Sequence, residues 1–227
     1  MTNLAPLASR SSGTDDRGRA YDVLSLVIVG ATCVVTAAVY PRLPPRMPVH
    51  FDLHGVADGF APKGAGAWLV PATTLGLFAL IKLGARLLPR PWRERTATSA
   101  ASLLLLIVTV GLTALHFLML HVALTGAVGM GASLGVVLGA LWVGLGLVMP
   151  RLRRNPWMGV RTPWTLTSDE NWARTHRVAG ASMAIGGLVA IAAAALGSAA
   201  VPIVAVVASA LVPLAYSLLL ARHLDHR

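Results

Sequence analysis

Six apolar runs, near residues 21–40, 67–88, 98–124, 130–149, 178–197 and 200–221, leave this chain few ways to fold. A bilayer's hydrocarbon core is about 30 Å thick and a helix rises about 1.5 Å per residue, so a span needs roughly 20 apolar residues. Lipid offers no partner to an open backbone amide, so each run must be helical. Charged residues make up only 12% of the chain, against about 25% in a typical soluble domain. The expected fold class is an all-α integral membrane protein, a bundle of six transmembrane helices with a short ordered extracytoplasmic loop. The last two runs are separated by Gly197 to Ala200, which suits a tight helical hairpin with Pro202 in the first turn of the sixth helix.

The basic residues orient the bundle. With the N-terminus inside, 16 of the 19 Lys and Arg fall on the cytoplasmic side, and only Arg42, Arg46 and Lys63 lie outside. This positive-inside bias places both termini in the cytoplasm. The expected organisation is a disordered cytoplasmic tail over 1–20 and an N-terminal membrane half over 21–149, with an extracytoplasmic loop at 41–66. Residues 150–227 form a cytoplasmic loop followed by the last two helices. The net charge of +10 is accounted for by topology and by membrane lipids with anionic head groups, so no direct nucleic-acid partner is expected. The first run exceeds the 7–15 residues typical of a signal peptide's apolar core and reads as a retained span. A single cysteine, Cys33, rules out an internal disulfide framework.

In the outer loop, Pro41, Pro44, Pro45 and Pro48 favour an extended entry. Val49, Phe51 and Leu53 then alternate with His50, Asp52 and His54, the period of a short strand, before Gly55 and Gly59 mark turns. On such a strand His50, Asp52 and His54 would share a face and could form an open three-ligand metal site. Their solvated reading is the simpler one, and no metal or cofactor is expected. Inside the membrane, Gly131, Gly135 and Gly139 form a stripe for close helix packing. Ser102, Thr109, Thr113 and His116 share one sector of the third helix, suited to interhelical hydrogen bonds or to an intramembrane ligand or proton site. His121 lies off that sector. Lys82 shares a face with Arg86 and can extend toward the cytoplasm.

Between the fourth and fifth runs, Asn155 to His176 holds three Trp, two Arg, four Thr and a His, more chemistry than a connector needs. Thr167 with Glu170 matches a capping box, which predicts a helix from Ser168 that continues into the fifth span. Trp172 and His176, four apart, share its face. Upstream, Pro156, Gly159 and Pro163 give a turning path that brings Arg161 and Trp164 to the interface, within reach of cation–π contact. The segment is either an interfacial anchor or a binding and signalling surface.

Asn155, Gly159, Arg161, Thr162, Trp164, Thr165, Leu166, Trp172 and His176 resemble the signature of the SdpI family of bacterial membrane proteins. Pro48, His50, Phe51, Gly55, Asp58 and Lys63 resemble the P-x-H-F…G…D…K pattern of the uncharacterised domain that precedes it in many members. His54 stands outside that pattern. The resemblance implies a protein of the bacterial inner membrane that gives immunity to a secreted membrane-active peptide toxin. It also implies signalling to a cytoplasmic transcriptional repressor. The toxin would meet the outer loop and the outer half of the bundle, and the fifth helix would carry the change to the surface from Arg161 to His176. A small transporter is the alternative, resting on Thr109, Thr113 and His116. An enzyme is not expected, because the chain has no HExxH and no intramembrane carboxylate pair.

Overall fold

A computed structural model of the chain describes residues 12–52, 54–96, 98–127, 130–198 and 200–225. Its elements are α1 (Ser12–Val39), β1 (Arg46–Phe51), β2 (Ala57–Pro62), α2 (Lys63–Leu87), α3 (Arg90–Thr96), α4 (Ser99–Thr125), α5 (Gly131–Val148), α6 (Pro163–Thr167), α7 (Asp169–Ala195) and α8 (Ala200–Asp225). Short 3-10 turns at Tyr40–Arg42 and Met149–Arg151 finish α1 and α5 where Pro41 and Pro150 deny the helix its next amide donor. Among the described residues six helices are long and apolar enough to cross a membrane. The protein is an all-α, multi-pass membrane protein, as the apolar runs predict.

The expected tail is shorter than its composition implies. Residues 12–20 already belong to α1, and residues 1–11 lie outside the described residues. Extending an existing helix adds one hydrogen bond per residue without a new nucleation step, so the apolar run carries its polar N-terminal neighbours into the helix. Arg19 and Asp16, three residues apart, support that first stretch with a 3.0 Å ion pair.

Helix α1 packs on α4 and α2, α4 touches α5, and α5 lies against α7, which in turn pairs with α8. The α5–α7 contact is a seam of backbone on backbone. A Cβ at Gly139 would stand 2.7 Å from the carbonyl oxygen of Gly187, and one at Gly187 would stand 2.6 Å from that of Gly139. Gly146 and Gly180 face each other in the same way, at 2.8 and 2.9 Å. Only small residues permit such an approach. The predicted stripe is therefore shared among partners: Gly139 meets α7, Gly135 meets Ala194 and Pro202, and Gly131 meets the outer loop at His54.

The polar sector of α4 faces α1. Ser102, Thr109 and His116 are buried and Thr113 is half-buried, whereas His121 is exposed. His116 Nε2 lies 2.8 Å from Thr36 Oγ1, and Thr113 lies 3.4 Å from Thr32. Lys82 does not extend beside Arg86. Its Nζ sits 2.7 Å from Asp22 and donates to Ser102 Oγ at 2.8 Å, because a partly buried ammonium gains more from a carboxylate on the neighbouring helix than from reaching for water.

Candidate functional site

The two segments singled out in the sequence close opposite ends of the bundle. At one end β1 and β2 form an antiparallel hairpin, with register breaks on either side of His50. Burial keeps the alternation read from the sequence, with His50 exposed between Val49 and Phe51. Met47, not Val49 or Phe51, is the strand residue wholly buried, packed with Leu43, Ala67, Met119 and Leu120. Val49 and Phe51 are half-buried, and Leu53 lies outside the described residues. Gly66 leaves the room that Met47 fills, since a Cβ there would stand 2.7 Å from the Met47 Cβ.

The loop of this hairpin is organised by Asp52. Its carboxylate accepts from the amides of His54 at 2.8 Å and Val56 at 2.9 Å. The Val56 amide, with lesser help from His54, holds the acid below the usual carboxylate range. His50 instead pairs with Asp58 across the hairpin, Nδ1 to Oδ1 at 2.6 Å, and both are exposed. His50, Asp52 and His54 thus have separate tasks and do not converge on one point. Among the described residues no three His, Cys, Asp or Glu are grouped to hold a metal ion. Lys63, the first residue of α2, lies 4.7 Å from the Tyr40 ring centroid and donates to the Pro41 carbonyl at 3.4 Å. Gly55 has a φ of 73°, and its carbonyl accepts from the Met130 amide at 3.3 Å. A side chain at Gly55 would run into the Gly131 backbone, so the hairpin tip is seated on the start of α5.

At the other end, residues 152–176 fold into a clasp whose polar groups are mostly turned inward. Asn155, Thr165, Trp172 and His176 are 1%, 0%, 3% and 1% exposed. Asn155 uses its whole amide: Nδ2 donates to the carbonyls of Arg153 and Met158, while Oδ1 accepts from the amides of Trp157 and Met158. His176 joins the loop to α7. Its Nδ1 is 2.8 Å from the Trp172 carbonyl, which can only accept, and its Nε2 receives the Val160 amide at 3.1 Å, which can only donate. The ring is therefore the neutral Nδ1–H tautomer. Trp172 stacks on it at 3.9 Å between centroids and donates its indole N–H to the Leu152 carbonyl. Gly159, at φ 101°, passes so close to Nε2 that no side chain fits between.

Thr162 caps α6, and the capping box here pairs Thr162 with Thr165. The box expected at Thr167 and Glu170 does not form. Ser168 caps α7 by accepting from the Asn171 amide, and the Thr167 hydroxyl donates back to Pro163. Side chains ahead of a helix compete for the same few amides, and Ser168 stands one residue nearer. Arg161 and Trp164 do not pair either. Arg161 is exposed and donates to the Pro156 carbonyl at 2.8 Å, while Trp164 donates to Ser217 of α8 at 2.9 Å.

Several residues that fasten the clasp carry no local spacing signal. Arg154 grips Asp169 at 2.6 and 3.3 Å, donates to the Leu166 carbonyl, and lies over the Trp92 ring at 5.6 Å. Arg95 from α3 reaches the same Asp169 at 2.9 Å. Asn171 donates to the Ser217 carbonyl and accepts from Thr175. Trp157 lies over Gly84 of α2, where a Cβ would stand 2.9 Å from the indole. The clasp thereby ties α2, α3, α7 and α8 together.

A docked hairpin at one end of a six-helix bundle and a buried loop clasp at the other define a multi-pass membrane protein with two built extramembrane structures. Residues 151–217 match the SdpI/YfhL protein family, and residues 27–75 match a domain of unknown function, DUF1648. The chain belongs to the SdpI family, with that domain as its N-terminal companion. The clasp from Arg151 lies within the first match and the hairpin within the second. No curated protein and no solved structure gave a significant match.

Proposed function

We propose that this protein protects a bacterium against a secreted, membrane-active peptide and reports that peptide's presence to a cytoplasmic repressor. In this reading it sits in the cytoplasmic membrane with the hairpin outside and both termini and the clasp inside, as the distribution of Lys and Arg favours. One observation carries it: an unbroken mechanical path joins the two ends. The hairpin tip rests on the start of α5, α5 meets α7 along the glycine seam, and the first turns of α7 are built into the clasp. A peptide that displaced the hairpin would strain that path, and the exposed Arg161 is placed to present the change to a partner.

The family supports the class of role, and the burial of the clasp refines it. Asn155, Thr165, Trp172 and His176 shape the loop from within, so recognition falls to the exposed Arg161 and to the helix surfaces around it. The polar sector of α4 is read as interhelical bonding and not as a transport site. The void beside it, between Val29, Thr32, Pro71 and Thr113, is too tight to hold a water molecule.

The test is survival of a toxin-sensitive bacterium expressing the wild-type chain, Arg161→Ala or His50→Ala, under challenge with a membrane-active peptide. Protection by wild type at equal membrane expression is expected. His50→Ala is expected to weaken protection, and Arg161→Ala to abolish repressor recruitment. Absence of protection by the wild-type chain would defeat the immunity reading.

A further inference from the structure

A cavity of about 700 Å³ opens at the clasp end between α1, the last turns of α2, α3, the start of α4 and the 3-10 turn after α5. Its wall is rich in cations: Arg17, Lys82, Arg151 and Arg153, with Arg19 at its border beside Asp16. Two carboxylates also line it, and each already has a cation. Asp22 is 2.7 Å from Lys82, and Glu94 is 2.8 Å from Arg90. Among the described residues no carboxylate lies within ion-pairing distance of Arg17, Arg151 or Arg153. The cavity therefore carries uncompensated positive charge.

The start of α4 adds to it. Ser99 and Ala100 border the cavity, and the first turn of this 27-residue helix contains no acidic residue. Thr98 satisfies the Ala101 amide, leaving the positive end of the helix dipole directed toward the cavity without a counter-charge. The bias that places Arg on one side of a membrane does not require them to surround a concavity whose own acids are tied up. Ala100 and Leu103 give the wall an apolar strip as well, which suits a ligand with both an anionic and an apolar part.

We propose that this cavity binds a phosphate-bearing anion, held by Arg17, Arg153 and the start of α4, with Arg151 closing the far side. The group comes either from the head of an anionic glycerophospholipid in the adjoining leaflet or from a soluble phosphate compound. Because Arg17 lies on α1 and Lys82 on α2, whereas Arg151 and Arg153 lead into the clasp, the ligand would join the N-terminal helices to the clasp.

The experiment uses the purified full-length protein in a neutral detergent and follows thermal unfolding. Phosphatidylglycerol, phosphatidylcholine, or inorganic phosphate at matched ionic strength is added to wild type, to Arg17→Gln/Arg153→Gln, and to the control Arg93→Gln/Arg177→Gln. The control removes the same charge from exposed sites outside the cavity. A selective rise in Tm of roughly 5–10 °C at saturating ligand is expected for wild type and control, and its loss is expected in the cavity variant. A rise with phosphatidylglycerol and not with phosphate assigns the lipid head group, and the reverse assigns a soluble phosphate. Native mass spectrometry of retained phosphatidylglycerol gives a second readout if a variant unfolds early. An equal rise with phosphatidylcholine, no rise with any addition, or equal loss in cavity and control variants would overturn the proposal.

Discussion

His176 holds the clasp through both ring nitrogens, and its replacement by Ala leaves the Val160 amide without a partner and strips Trp172 of its stacking neighbour. The expected loss is about 2–4 kcal/mol of stability, read by unfolding in detergent. Gly159→Ala alone should cost about 1–3 kcal/mol, because it puts a side chain at φ 101° and against the imidazole. The double variant should cost less than the two together, since removing the ring removes the collision. Additive costs would show that the two residues do not meet. At the hairpin, hydrogen bonds from Val56 and His54 depress the acidity of Asp52 below its usual value of 3.8. A depressed acid stabilises the loop above its unfolded value, and that stability is lost as pH falls through the lower folded value. NMR shifts of the His54 and Val56 amides should change in that acid window, and Asp52→Asn should abolish the change. The sequence made these residues conspicuous by type and density but not by burial. Polar side chains in a loop default to solvent, and what drew Asn155 and His176 inward is bonding to a loop backbone whose path no spacing rule encodes.

The α5–α7 seam fixes how the helices pair. Gly187→Val would drive methyl groups into the Gly139 carbonyl and the Val143 side chain, and should destabilise the protein by about 1–3 kcal/mol or more. Gly76 in α2 has nothing within 4 Å of an added Cβ, so Gly76→Ala should be neutral or stabilising by up to about 1 kcal/mol. Paired thermal unfolding of these two variants checks the contrast, and equal effects would refute the seam. The six spans were legible because lipid imposes length and apolarity on each one separately. On α5 the glycine stripe read from the sequence held Gly139 but not Gly146, and their partners Gly187 and Gly180 became visible only with the packing of α7. The alternation around His50 was legible, whereas the register breaks on either side of it were not, because bulges leave little trace in a pattern of alternate residues.

Across the whole molecule, α1, α2 and α4 form one group and α5, α7 and α8 another, joined by the α4–α5 contact, the seated hairpin and Trp157 over Gly84. This grouping crosses the division at residue 149 that the loop suggests in the sequence, since α5 packs chiefly on a helix that follows the clasp. The glycine seam also sets an order of events during synthesis. A ribosome delivers α5 to the bilayer before α7 exists, so for that interval a groove of bare backbone faces lipid with nothing to fill it. A nascent chain in that condition is a natural client for insertases and quality-control proteases. A chain ending before Asp169 should be cleared within a pulse-chase faster than the full-length protein, and supplying residues 150–227 as a separate polypeptide should extend its lifetime.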